Sequence, residues 1–164
     1  MRIGTSLGLV IGAAVLAACT PSFDPKAEGE KLLARDAEWA AAASAGRDVE
    51  KTVSYWSEDA VIIPQGQKTV EGRAAIRAFV AGSFHTPGFH IHWVSEKPVF
   101  SPDGKFAYLR SVTETTVPGP NGTTVTYPSR GMTVWRVDPD GEWRCVVDIW
   151  NDPPPPAHTS VKAG

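Results

Sequence analysis

The stretch of sequence that decides the fold is residues 123–150, TTVTYPSRGMTVWRVDPDGEWRCVVDIW. Two segments rich in β-branched and aromatic residues, 123–137 and 143–150, flank the sequence Asp138-Pro139-Asp140-Gly141. β-Branched and aromatic side chains favour strands, whereas aspartate, proline and glycine tolerate tight backbone bends. We therefore predict a hairpin of two long antiparallel strands.

The register of this hairpin follows from its turn. If residue 138 pairs with residue 141, Gly131 lies opposite Asp148 and leaves room beside that carboxylate, while Arg130 lies on the other face of the sheet. We therefore predict that Arg130 and Asp148 do not pair directly. A slip of one residue would reverse this arrangement, because side chains alternate between the two faces of a strand.

Further strands are predicted on the N-terminal side of the hairpin. The turn sequences Pro102-Asp103-Gly104 and Pro120-Asn121-Gly122 bound a β-rich segment at residues 106–117. Residues 89–94, FHIHWV, place Phe, Ile and Trp at alternate positions, which indicates a strand with one buried face. Together these strands predict an antiparallel meander.

The N-terminal half of the chain predicts helices. Asp24 can cap a helix that has Pro25 in its first turn, and Gly46 suits the end of the alanine-rich segment 27–45. A second, shorter helix is predicted from residue 48 to 55 or 56, and a third at residues 71–80. Helices followed by an antiparallel sheet give a layered α+β domain.

The first residues predict export and a lipid anchor. A charged start at Arg2 leads into an uncharged apolar run at residues 4–18, which is too short to span a bilayer and is typical of a secretory signal. Leu16-Ala17-Ala18-Cys19 resembles the lipobox of bacterial lipoproteins, in which the cysteine is acylated and becomes the first mature residue. We therefore expect an exported lipoprotein on the periplasmic face of the outer membrane, or on the cell membrane if no outer membrane exists.

These patterns divide the chain into four parts. The predicted parts are a signal peptide at residues 1–18, the lipidated cysteine and a tether at 19–25, one α+β domain at 26–152, and a proline-rich disordered tail at 153–164. The chain has two cysteines, so lipidation of Cys19 would leave Cys145 without an intramolecular disulfide partner. A net charge of −2 without basic clusters argues against a nucleic-acid partner.

Several short sequence motifs in the domain resemble those of the nuclear-transport-factor-2-like superfamily, in particular its SnoaL-like and ketosteroid-isomerase-like branches. The motifs are Tyr55-Trp56-Ser57-Glu58-Asp59-Ala60-Val61, Glu71-Gly72-Arg73-Ala74-Ala75-Ile76-Arg77, Thr133-Val134-Trp135-Arg136, Asp140-Gly141-Glu142-Trp143 and Asp148-Ile149-Trp150. The resemblance implies a cone in which a curved sheet wraps the helices around a pocket, commonly in a homodimer. It does not imply one activity, because this scaffold hosts enzymes, ligand binders and assembly domains.

The resemblance also bears on catalysis. The steroid-isomerase branch uses a carboxylate just before a Pro-x-Gly turn, where this chain has Ile63 before Pro64-Gln65-Gly66. Isoleucine cannot accept a proton, so that chemistry with the usual base is not expected. The cyclase branch implies an acidic residue deeper in the sheet, for which Asp148 is the candidate. Its neighbours are apolar, so burial would raise its pKa unless it is paired, and a purely structural carboxylate is the alternative.

The pocket is predicted from aromatic residues. The resemblance places Trp39, Tyr55, Phe79 and Trp93 on elements that line the pocket, and we include Arg130 and Trp150 in the same prediction. These aromatic residues could form a cavity for a small hydrophobic ligand, or they could pack in the core and a dimer interface.

The two histidines of the FHIHWV strand have a spacing that some metal sites use. His90 and His92 point to one side of the strand, but the sequence offers no third ligand, so we expect exposed or interfacial histidines rather than a metal site. No cofactor is predicted.

Two functions therefore remain open from the sequence. The first is a binding or accessory protein that holds a small hydrophobic ligand or a partner subunit near the membrane. The second is an isomerase, cyclase or hydratase-like enzyme that acts on a small carbonyl compound through Asp148.

Overall fold

The structure, a computed structural model, describes residues 23–151. Its helices are α1 (Pro25–Ala45), α2 (Val49–Val53) and α3 (Gly72–His85), with a short 3-10 turn at Pro120–Gly122. Its strands are β1 (Trp56–Ile63), β2 (Val70–Glu71), β3 (His90–Ser95), β4 (Val99–Phe100), β5 (Phe106–Pro118), β6 (Thr124–Val137) and β7 (Trp143–Asn151). Within this described range, no helix has the length and apolar character needed to cross a membrane.

The strands form one curved sheet in the order β2-β1-β7-β6-β5-β3. The short strand β4 lies off this order and also pairs with β5. All neighbours are antiparallel except β1 and β7, which run parallel. Helix α1 packs over β3 and helix α3 over β1, so both helices lie on the same inner face of the sheet. The predicted α+β fold, with three helices against a curved and largely antiparallel sheet, is confirmed.

Helix α1 begins and ends where its sequence predicts. The side chain of Asp24 accepts hydrogen bonds from the backbone amides of Lys26 and Ala27, at 2.9 and 3.4 Å. Gly46 ends the helix in the left-handed conformation at φ 61°, which glycine adopts without steric cost.

The other two helices differ in length from the prediction. Helix α2 ends at Val53, because the carbonyl of Tyr55 already accepts a bond from the amide of Cys145 and Trp56 pairs with the same strand. Helix α3 continues to His85, beyond the predicted end at residue 80.

The hydrophobic core occupies one end of the inner face of the sheet. There β5 contributes Ala107 and Leu109, β6 contributes Trp135 and β7 contributes Cys145, all at most 3% exposed. Leu32 of α1 packs into the same cluster. Four of the six tryptophans are buried, namely Trp39, Trp56, Trp135 and Trp143.

A bulge in β7 overturns the predicted register of the hairpin. Trp135 pairs with Cys145, but Val134 pairs with Val147, so residue 146 is an extra residue without an opposite partner. Asp148 consequently lies opposite Thr133, whereas Gly131 lies opposite Trp150. The prediction that Gly131 faces Asp148 was wrong, because the turn sequence cannot reveal a bulge further along the strand.

Candidate functional site

A cavity of about 630 Å³ lies between the two long helices and the inner face of the sheet, beside the core. Helix α1 contributes Asp36 and Trp39 to its wall, and α3 contributes Phe79 and Phe84. From the strands, the wall includes Ile62, Ile91, Trp93, Ser95, Ser111, Thr113, Thr115, Val117, Ser129, Gly131, Thr133, Asp148 and Trp150. This volume is within the range of about 300–1,000 Å³ that small-molecule sites occupy.

The cavity exists because the inward-facing residues change size along the strands. On β5 the inward positions change from Leu109 in the core to Ser111 and Thr113 in the cavity. On β6 they change from Trp135 to Thr133 and Gly131. These small side chains leave space beneath the helices that the large core residues fill at the other end.

Aromatic rings form much of the cavity wall. The rings of Trp39 and Trp93 meet edge to face with their centroids 5.1 Å apart, and those of Trp39 and Trp56 do so at 4.5 Å. Phe79 of α3 lies 6.4 Å from Trp150 of β7, measured between ring centroids. These rings give the cavity a large apolar surface, as expected of a site for a hydrophobic molecule.

Asp148 lies in the cavity wall with only a small part of its surface accessible. It projects inward beside Ile62 of β1, with which it is in register. Burial, with a smaller contribution from the negative charge of Asp36, raises the pKa of Asp148 to about 7. This carboxyl group can therefore gain or lose a proton near neutral pH, which is a requirement for a general acid or base.

Asp36 is a second cavity carboxylate, one that the sequence-based prediction does not include. It is 3% exposed, and the indole N–H of Trp93 donates to its two oxygens at 3.2 and 3.3 Å. Burial raises its pKa, while hydrogen bonds from Ser95 and Trp93 oppose the rise. The signal was present, because Asp36 shares one face of α1 with Leu32, Trp39 and Ala43, where a charge is out of place.

The structure brings together five of the predicted site residues and leaves two outside. Trp39, Phe79, Trp93, Asp148 and Trp150 all line the cavity. Tyr55 instead lies in the core against Trp39, with ring centroids 6.1 Å apart. Arg130 is exposed on the outer face of β6, because inward positions on that strand are the odd-numbered ones around Gly131.

The histidines and Cys145 lie apart from the cavity. His90 and His92 are exposed, and Nε2 of His90 lies 3.0 Å from the hydroxyl of Ser44. Burial raises the pKa of the Cys145 thiol well above its usual value, with added repulsion from Asp148 and Asp36. The thiol is therefore neutral and unreactive at physiological pH. Cys19, the predicted lipidation site, is outside the described residues.

The layered sheet, the helices on its inner face and the cavity between them define a nuclear-transport-factor-2-like domain. More specifically, the chain belongs to the SnoaL-like domain family, whose sequence profile matches residues 37–146. No curated protein matches the chain.

Solved structures agree with this fold. A ketosteroid isomerase-like protein from Erwinia carotovora atroseptica has a TM-score of 0.68 at 18% identity, covering 78% of this chain and 98% of its own. An NTF2-like protein with a cystatin-like fold from Novosphingobium aromaticivorans has a TM-score of 0.61 at 22% identity, covering 80% and 86%. An NTF2-like protein of unknown function from Pseudomonas putida has a TM-score of 0.63 at 15% identity, covering 78% and 88%. Similarity at these identities concerns the fold alone.

Proposed function

We propose that this protein binds a small, largely apolar molecule in the cavity between its helices and sheet. The observation that carries the proposal is the cavity itself, which combines about 630 Å³ of space with several aromatic rings, a row of small hydroxyl side chains and two carboxylates. A rigid aromatic wall suits a flat hydrophobic ligand, because offset and edge-to-face ring contacts contribute beyond simple burial. Asp148 would fix the orientation of the ligand through its polar group.

Binding can be tested with a neutral two-ring compound. Calorimetric titration of 2-naphthalenemethanol into the chain from residue 20 onward should give saturable binding with a negative heat-capacity change, the mark of apolar burial. This chain is suitable because residues 23–151 contain a complete core of their own.

A matched pair of variants tests whether the cavity is the site. Thr113→Phe places a ring in the cavity wall and is expected to weaken binding about tenfold or more, since it removes space that the ligand needs. Val112→Phe changes the neighbouring residue, which is 58% exposed on the outer face, and should leave binding unchanged. Equal affinity in both variants, with both folded by circular dichroism, would place the ligand elsewhere and contradict the proposal.

A second candidate function is acid–base catalysis on a small carbonyl compound. The observation that favours it is the pKa of about 7 at Asp148, which leaves this buried carboxylate partly ionised at neutral pH without a cationic partner among the described residues. In such a reaction the Asp148 carboxylate would remove a proton next to a carbonyl and return it to another position.

This second candidate predicts a measurable exchange reaction. Deuterium should enter the carbon next to the carbonyl of 2-tetralone, a two-ring ketone, faster with the protein than in buffer alone. Asp148→Asn should abolish that acceleration, because an amide cannot accept the proton. Proton NMR follows the exchange. Equal exchange rates with the protein and in buffer alone would contradict the catalytic candidate and leave ligand binding as the proposed function.

We also propose export, lipid attachment at Cys19 and a homodimer. The lipobox-like sequence supports attachment, and metabolic labelling with palmitate in the wild type and Cys19→Ser tests it.

The proposed homodimer is supported by Val94 and Val112, exposed neighbours on the outer face of the sheet, which supply apolar surface for a second copy. Sedimentation velocity tests the dimer.

A further inference from the structure

The charges in the cavity wall are all of one sign. Among the described residues, 23–151, the wall contains the two carboxylates of Asp36 and Asp148 and no lysine, arginine or histidine. The other side chains of the wall are apolar, or carry only neutral hydroxyl, amide and indole groups. The cavity therefore offers acceptors for a positive group but no positive charge of its own.

Neither cavity carboxylate has a countercharge within the described part of the chain. Asp36 receives neutral hydrogen bonds from Trp93 and Ser95, and Asp148 has no hydrogen bond or ion pair there. By contrast, Asp59, Asp138 and Asp140 are paired with arginines outside the cavity, the last with Arg144 at 2.7 Å. An ionised carboxylate that is removed from water without a partner is costly, so these two groups favour a positive ligand.

The tryptophans add a second attraction for a cation. Trp39, Trp56, Trp93 and Trp150 line the same cavity, and the face of an indole ring attracts positive charge more strongly than any other aromatic side chain. Carboxylates combined with indole faces are the groups that recognise a protonated amine on an apolar body.

We infer that the ligand of this cavity is a hydrophobic amine, whose ammonium group lies near Asp36 and Asp148 while its apolar body contacts the tryptophans. The inference rests on the proposed binding function and specifies the ligand class. A neutral carbonyl or hydroxyl compound, to which a protonated Asp148 would donate a hydrogen bond, is the competing class.

Three ligands with the same rings test the charge preference. They are 2-naphthylmethylamine, 2-naphthalenemethanol and 2-naphthaleneacetate, each titrated by calorimetry at pH 8. The amine should bind about tenfold or more tighter than the alcohol, and the carboxylate should bind more weakly than both. Equal affinities for all three would overturn this inference and leave the apolar pocket intact, whereas failure of all three would contradict the binding function as well.

The pH dependence gives an independent readout. Ionisation of Asp148 should tighten amine binding as pH rises from 6 to 8, and a neutral ligand should show no such gain. The titratable group that acts on Asp148 is Asp36 from α1, while the nearby Cys145 thiol stays neutral over this range. Its paired neighbours, Thr133 on β6 and Ile62 on β1, carry no charge.

A matched pair of variants completes the test. Asp148→Asn should reduce the ratio of amine to alcohol affinity by about tenfold, because one of the two negative charges is lost. Asp140→Asn removes an aspartate that is paired with Arg144 outside the cavity, and should keep the wild-type ratio. An unchanged ratio in Asp148→Asn would overturn the inference.

Discussion

Asp148→Asn is expected to stabilise the protein at pH 8, raising the free energy of unfolding by up to about 4 kcal/mol. Burial holds the pKa of Asp148 near 7, against an ordinary value of 3.8 in the unfolded chain. Each tenfold difference in proton affinity between the two states corresponds to about 1.4 kcal/mol, and this sets the upper limit of the effect.

The sign of the effect follows from proton binding. Between pH 4 and pH 7 the folded state binds more protons at Asp148 than the unfolded state, so its stability falls as pH rises through this window. Above pH 7 the carboxylate is ionised in both states, and the folded state bears the full cost of a buried charge. Asparagine is similar in shape to the protonated carboxyl and remains neutral, so the variant avoids this cost.

Urea unfolding at pH 4 and pH 8 measures the effect. The wild type and Asp148→Asn should differ by less than about 1 kcal/mol at pH 4 and diverge at pH 8. Asp140→Asn is the control of opposite sign, because hydrogen bonds from Arg144 hold the pKa of Asp140 below its usual range and its charge favours folding. A pH-independent difference between the wild type and Asp148→Asn would contradict the assignment of a buried, unpaired carboxylate.

Trp39→Ala is expected to cost about 3–5 kcal/mol of stability at any pH. Trp39 is 3% exposed, and its ring meets those of Trp56 and Trp135 at centroid distances of 4.5 and 5.5 Å. Removing it leaves an unfilled space where the core meets the cavity. The cost includes this space as well as the lost burial, because the surrounding helix and strands can collapse only in part.

Trp150→Ala is the matched control for this loss. Trp150 also lines the cavity but is only half-buried, and it pairs loosely with Phe79. Its removal should cost less than about 2 kcal/mol in the same urea experiment. If Trp39→Ala and Trp150→Ala lost the same free energy of unfolding, Trp39 would not connect the core to the cavity wall.

The sequence predicts the elements of this fold better than their relative placement. Alternation in FHIHWV and the turn at residues 138–141 mark strands correctly, since period-two patterns and turn residues act locally. The inward direction of Trp93 follows directly from that alternation. The parallel pairing of β1 with β7 has no local signature, because it joins segments far apart in the chain.

The candidate site was predictable only in part. The apolar neighbours of Asp148 indicate a buried carboxylate with a raised pKa, and the structure places it in the cavity. Arg130 is predicted to line the pocket but lies on the outer face of β6. Asp36 is absent from the prediction because the abundant alanines of α1 make its buried face hard to distinguish from its exposed one.

Because of the bulge at residue 146, the inward-facing residues of β7 are odd-numbered before it and even-numbered after it. Before it, Trp143 and Cys145 face the core; after it, Asp148 and Trp150 face the cavity. A regular strand that kept residue 146 in the ladder would turn Val147 and Ile149 inward and move the Asp148 carboxylate to the outer face, while Trp143 and Cys145 kept their places. The gain or loss of a bulge at this point, with the strand unchanged in length, is thus a route by which evolution could exchange the chemistry of the pocket in one step without redesigning the scaffold.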